Sequence, residues 1–227
     1  METIRTNGPA EGARRLASDL AARLSGGRPV LWLVCGGSNI KAAAEALDAV
    51  RRAAPPEALG RLAVGLTDER YGPVGHPDSN WKQLADAGFG FEGVRRLPVL
   101  SGKSLSETVA AYAETLDAEC RGVRAAKGSV VALFGIGADG HIAGILPHSP
   151  AASERGIVAG YDAGAYTRVT IAPSFFPKID AAYAFVFGEG KRAAVARLTS
   201  REAVAPIDQP AQLIKTARKA YLFTDMA

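Results

Sequence analysis

The 227-residue chain holds two cysteines, Cys35 and Cys120, and three histidines. The cysteines lie far apart, no C-x-x-C occurs, and no Cys/His cluster has zinc-ligand spacing, so no metal site is expected. Aromatic residues make up 7% of the chain and do not interleave with basic residues as a stacking platform for nucleic acid does. Cations are scattered without a basic run; 27 basic against 23 acidic side chains leave +4. Nucleic-acid binding is therefore not expected, whereas a small anionic substrate suits the excess. No apolar run approaches the roughly 20 residues that cross a membrane. The first residues lack the apolar centre of a signal peptide. The expectation is a cytoplasmic protein with reduced thiols, no nucleic-acid partner and no membrane partner, its oligomeric state left open.

What is present is a globular composition, 48% hydrophobic and 22% charged. A chain this long buries roughly 70% of its unfolded surface. One domain over residues 1–227 is expected. Strand-like apolar runs occur at Val30–Cys35, Leu62–Leu66, Arg96–Leu100, Val130–Phe134, Arg168–Ile171, Ala182–Phe187 and Ala220–Thr224. VLWLVC, VVALF and AYAFVF are continuous rather than alternating, as parallel strands covered on both faces are. Helical stretches lie between them. Leu16, Leu20 and Leu24 share one helix face. Asn39–Arg51 reads as a helix stopping before Pro55 and Pro56. Ser104 and Glu107 have capping-box spacing ahead of a long helix to about Ala126. Glu189–Leu198 and Gln209–Ala217 are further helix candidates. The alternation predicts an α/β fold with a parallel sheet.

Ligands of such sheets bind beyond the carboxyl ends of the strands. Three of these ends carry glycines or charges and are expected to line one edge. In CGGSN, Gly36 and Gly37 permit a tight turn, and Ser38 or Asn39 can cap the next helix, whose free N–H groups then hold an oxyanion. An ordinary strand-to-helix turn has the same residues. In TDERYGPVGHPDSN, Asp68, Glu69 and Arg70 directly follow a buried strand, where charge is costly unless paired or ligand-bound. A surface salt-bridge cluster is the alternative. GIGADGHIAGILP contains G-x-G-x-x-G, with Asp162 about where a ribose-binding acid of a dinucleotide site falls. Pro147 and Pro150, however, leave room for a helix of about two turns at most, too short for a dinucleotide crossover. The stronger reading centres on His141 beside Asp139, a base with a carboxylate to fix its tautomer. His76 and His148 read as loop residues. Lys191 stands at a helix start after an apolar strand, where a cation is unfavourable unless an anion joins it; a solvent-facing lysine is the alternative. Arg168, heading RVTIA, is a further candidate.

In order and spacing these motifs resemble the 6-phosphogluconolactonase family, within the group that includes glucosamine-6-phosphate deaminases. The family pattern of SGGSTP, then DER with a downstream SN, then GxGxDGHxASLFP is matched here by CGGSNI, TDERYGPVGHPDSN and GIGADGHIAGILP. RVTIAPSFFPKIDAAYAFVFGEGKRAA matches its R-hydrophobic-T segment and G-x-x-K helix start. The resemblance implies a three-layer α/β/α fold with a mostly parallel, Rossmann-like sheet and no cofactor or essential metal. It implies hydrolysis of 6-phosphoglucono-δ-lactone in the pentose phosphate pathway. His141 would be the general base, with Asp139 orienting its loop. Arg70 would hold the substrate or stabilise charge on the lactone oxygen. Gly36, Gly37, Ser38, Asn39, Lys191 and Arg168 would bind the phosphate. Asp68, Glu69, Asn80 and Gly137 complete the expected substrate-binding set.

The chain also departs from the pattern. Cys35 replaces Ser, and Asn39-Ile40 replaces Thr-Pro. The deaminase segment continues with a catalytic glutamate that falls at Leu146, although Asp68 matches the deaminases' aspartate. The readings that stand beside the lactonase are an aminosugar-phosphate deaminase or isomerase, a non-catalytic sugar-phosphate sensor, and a dinucleotide oxidoreductase.

Overall fold

The continuous apolar runs form one sheet. The computed structural model describes residues 1–226. Its elements in chain order are β1 (Glu2–Arg5), α1 (Pro9–Ser25), β2 (Val30–Val34), α2 (Ile40–Ala53), α3 (Pro56–Leu59), β3 (Leu62–Leu66), β4 (Asp68–Arg70), α4 (Asn80–Asp86), β5 (Arg95–Arg96), α5 (Leu105–Ala125), β6 (Ser129–Phe134), β7 (Val158–Asp162), β8 (Thr167–Ile171), β9 (Ala181–Val186), α6 (Arg192–Thr199) and β10 (Ala220–Thr224). Seven strands lie in the order β1-β10-β9-β6-β2-β3-β5. Every neighbouring pair in this sheet is parallel.

Both faces are covered, which is why β2 and β9 are buried at every residue. Trp32 packs on Phe89 at 5.7 Å, on the side where α2 and α4 meet. The next residue, Leu33, points the other way and lies with Gly65 toward Tyr112 of α5. The Tyr112 hydroxyl donates to the Leu66 carbonyl at 2.6 Å and accepts from the Leu66 N–H at 2.8 Å. It thereby satisfies the end of β3, which extends past its short partner β5. Leu16, Leu20 and Leu24 of α1 are fully buried. The Ser104–Glu107 capping box forms as predicted. Among the described residues, no helix is long and apolar enough to cross a membrane.

The chain runs outward from β2 to β3 and β5, then returns to the other side of β2 with β6 and runs outward to β9 and β10. The order reverses between β2 and β6, so the loops leaving these strands diverge and open a crevice at their carboxyl ends.

A second sheet, β4-β8-β7, is antiparallel and packs with α5. RVTIA is a strand as predicted, but it belongs to this sheet. Strands β1, β4 and β7 have no counterpart in the sequence prediction. The predicted strand Arg96–Leu100 shrinks to Arg95–Arg96. One further bond joins Leu97 N–H to the Val64 carbonyl at 2.8 Å, and Pro98 has no N–H to extend the ladder. The predicted helix Gln209–Ala217 is a 3-10 segment, Pro210–Thr216.

Candidate active site

The three strand-end motifs meet in a cleft of about 320 Å³ over the β2/β6 reversal. Gly36, Gly37 and Ser38 line it from the β2 loop, and Gly135, Gly137 and His141 from the β6 loop. Asp68, Arg70 and Asn80 enter from β4 and the start of α4, Arg168 from β8, and Lys191 from the segment before α6. Three cations face one carboxylate, a balance that suits a multiply charged anion.

His141 is set by a turn that closes on itself. Gly137 N–H donates to the His141 carbonyl and Gly140 N–H to the Gly137 carbonyl, each at 3.0 Å. Asp139 Oδ1 accepts from the His141 backbone N–H at 3.1 Å and lies 2.7 Å from Nδ1. Burial opposes the Asp139 charge, but the His141 backbone and ring N–H groups outweigh it and hold the carboxyl below its ordinary value. An ionised acceptor at Nδ1 fixes the proton on that nitrogen, leaving the Nε2 lone pair as the basic site. The imidazole packs so closely on Gly137 that a Cβ there would collide with it. No helix follows Gly140, not even the two turns the prolines allow. The chain instead folds back through mutual Ile142–Ile145 backbone bonds, with Ala143 at φ 52. The dinucleotide fingerprint therefore lacks its helix. Leu146, at the deaminase glutamate position, packs half-buried against the core.

The charged side is built on β4. Strand alternation sends Asp68 and Arg70 to the cleft and Glu69 to the opposite side. Glu69 is fully buried, and its carboxylate accepts from Asn80 N (2.6 Å), Trp81 N (3.2 Å), Ser79 Oγ (3.0 Å) and Arg70 N (2.8 Å). Burial pushes its pKa up, against those four bonds. Glu69 thus satisfies the first N–H groups of α4 and does not reach the cleft, contrary to its expected binding role. Across the β4–β8 ladder Arg70 stands opposite Arg168. Arg168 Nη1 pairs with Asp68 Oδ2 at 3.3 Å, and Arg70 Nη1 donates to the Asp78 carbonyl at 2.9 Å. The Nε of each arginine is buried with no hydrogen-bond partner. Asn80 donates through Nδ2 to the Asp68 carbonyl at 2.8 Å. Its carboxamide presses on Gly36, where a Cβ would collide with it, tying the CGGSN loop to the DER…SN segment.

The expected cap at the α2 start does not form, since neither Ser38 nor Asn39 makes a side-chain cap. Asn39 is 3% exposed and turns inward, donating to the Phe134 carbonyl at 3.0 Å and the Phe185 carbonyl at 3.1 Å. It staples the β2 loop to the ends of β6 and β9 and is unavailable to a ligand in the cleft. Lys191 is half-buried, and burial lowers its pKa, with Cys35 opposing slightly. Burial, with Asp68 adding to it, pushes the Cys35 thiol up to about 12, so it lines the cleft as a neutral, poorly nucleophilic group. Sequence reasoning also missed Tyr166, whose ring lies under both arginines. Its spacing of two residues from Arg168, the period of one strand face, was the available signal. His76 and His148 lie in loops, and His76 Nε2 sits 2.9 Å from the Arg70 carbonyl. Among the described residues, no group of three or more His, Cys, Asp or Glu is placed to hold a metal ion.

Residues 8–223 match the family model described as glucosamine-6-phosphate isomerases/6-phosphogluconolactonase. The chain is 28% identical over 224 residues to human 6-phosphogluconolactonase, covering 89% of this chain and 81% of the relative. The fold is similar to that of a 6-phosphogluconolactonase from Shewanella baltica, with TM-score 0.77, 17% identity and coverage of 99% of this chain and 97% of that one. It is equally similar to a monomeric glucosamine-6-phosphate deaminase, with TM-score 0.78, 15% identity and coverage of 99% and 97%.

Proposed function

The chain belongs to the glucosamine-6-phosphate isomerase/6-phosphogluconolactonase family, and from that premise we propose that it hydrolyses 6-phosphoglucono-δ-lactone to 6-phosphogluconate in the pentose phosphate pathway. The observation that carries this reading is the His141–Asp139 pair set on the rim of a cleft that also holds Arg70, Arg168 and Lys191. A base and a cationic pocket are what a phosphorylated lactone requires. The identity to the human lactonase points the same way.

In this mechanism His141 Nε2 takes a proton from water as the water oxygen bonds to the lactone carbonyl carbon. The carbonyl electrons move onto oxygen as the tetrahedral intermediate forms. Collapse breaks the bond to the ring oxygen, which takes the proton from His141, giving a carboxylic acid and a free hydroxyl. Asp139 stays ionised and steadies the imidazolium between the two steps. General-base assistance contributes about 100- to 10,000-fold. The phosphate is held by the Gly36–Ser38 loop and the cations; Asn39 supports that loop from behind. The enzyme acts as one domain, in the cytoplasm, with no cofactor and no nucleic-acid partner.

Fold similarity alone does not choose between lactonase and deaminase, because both kinds of neighbour match over nearly the whole chain. The choice rests on Leu146, an apolar side chain where the deaminase pattern needs its acid. The test is a side-by-side assay of the purified chain. Rapid release of acid from 6-phosphoglucono-δ-lactone, with no ammonia from glucosamine-6-phosphate, is expected; the reverse pattern overturns the proposal.

A further inference from the structure

Arg70 and Arg168 are register partners across an antiparallel strand pair. Like charges placed directly opposite one another destabilise such a pair unless something offsets them. Asp68 offsets only Arg168, through Nη1. Both side chains line the cleft, and both bury an Nε donor that has no partner. The Tyr166 ring lies beneath the two guanidiniums, its centroid 5.1 Å from the Arg70 Cζ and 6.0 Å from the Arg168 Cζ. Tyr166 sits at the β7–β8 turn, where its carbonyl accepts from Ala163 N–H at 2.9 Å and Gly164 has φ 84. A closed hairpin therefore aims the ring.

We propose that Tyr166 is a positioning residue: its π-face holds Arg70 and Arg168 side by side as a two-guanidinium pincer for the phosphate monoester of the substrate. The face of an aromatic ring attracts cations, and a ring shared by both guanidiniums offsets the repulsion that Asp68, paired with Arg168 alone, leaves uncompensated. Two planar forks with free donors match the oxygens of a phosphate dianion. This inference rests on the phosphosugar-lactone reading for the identity of the ligand but not for the anion chemistry.

The experiment compares wild type, Tyr166→Leu, Tyr166→Ala and Tyr166→Phe in two measurements. One is steady-state hydrolysis of 6-phosphoglucono-δ-lactone, and the other is calorimetric titration with inorganic phosphate, which needs no turnover. Removing the ring face in the Leu and Ala variants is expected to raise KM and weaken phosphate binding about tenfold, with kcat changed by less than about twofold. Tyr166→Phe keeps the face and is expected to restore both values. Leu keeps bulk at the turn, so the test stands even if Ala fails to fold. Phosphate affinity unchanged in Tyr166→Leu overturns the pincer. So does a Phe variant as weak as Leu, or a loss confined to kcat. If wild type hydrolyses no lactone yet Tyr166→Leu loses phosphate affinity, the pincer stands and the lactonase reading falls.

Discussion

The two sheets deliver different things to one cleft, and by different means. The parallel sheet supplies the proposed base. His141 hangs from the end of β6 on a turn whose bonds span a few residues, Gly137 to His141 and Asp139 to His141. The antiparallel sheet supplies two of the three cations, the third, Lys191, following β9 of the parallel sheet. Arg70 and Arg168 meet only because β4 pairs with β8 across roughly a hundred residues, the separation of the Asp68–Arg168 pair. His141 is thus oriented locally by a single carboxylate, whereas the arginine pair depends on long-range pairing. The difference implies that the two regions fail differently: damage to the turn falls on kcat, and damage to the small sheet falls on KM and stability.

The sharpest break of this division is Asp139→Asn. It removes the ionised acceptor that fixes the Nδ1 proton, and kcat is expected to drop about a hundredfold, with KM little changed, in the lactone assay. A comparable rise in KM with kcat intact would mean that the turn binds substrate. Next comes Arg168→Gln, which keeps a donor for Asp68 but removes one guanidinium. KM is expected to rise about thirtyfold, the equivalent of roughly 2 kcal/mol of charge-assisted hydrogen bonding. A loss mainly in kcat would merge the two regions into one.

Glu69→Ala probes the anchoring of β4 to α4. It strips the acceptor from the Asn80 and Trp81 N–H groups, and a stability loss of about 1–3 kcal/mol is expected from urea midpoints at unchanged slope. The smallest effect concerns pH. Burial lowers the Lys191 pKa, so its charge, and the phosphate affinity proposed to depend on it, is present below the lowered value and lost as pH rises through it. KM should begin to climb on the alkaline side before the ordinary lysine range, and Lys191→Arg should move that rise to higher pH. A KM profile identical in both proteins would separate Lys191 from phosphate binding.

The same contrast explains what could be read from the sequence. The parallel strands were legible because full burial writes continuous apolar runs such as VLWLVC. The α5 start was legible because a capping box is local. His141 and Asp139 were legible for the same reason, lying two residues apart on a glycine-rich exit. The small sheet was not. Strand β4 is a charged triplet, and β7 carries alternating burial that reads as weakly as a loop. Two residues expected in the site from DER and GGSN, Glu69 and Asn39, are also turned away from the cleft by geometry. Strand alternation turns Glu69 away from Asp68 and Arg70, and Asn39 finds two strand-end carbonyls that no spacing rule reveals. Tyr166 has meaning only once β4 and β8 are paired.

The proposed role of His141 is that of the base of a phosphosugar lactonase. It is tested most directly by kcat for 6-phosphoglucono-δ-lactone in wild type and His141→Ala, with phosphate binding measured in both. A fall in kcat of about 100- to 10,000-fold is expected, with phosphate affinity retained. Turnover by His141→Ala at the wild-type rate would contradict it.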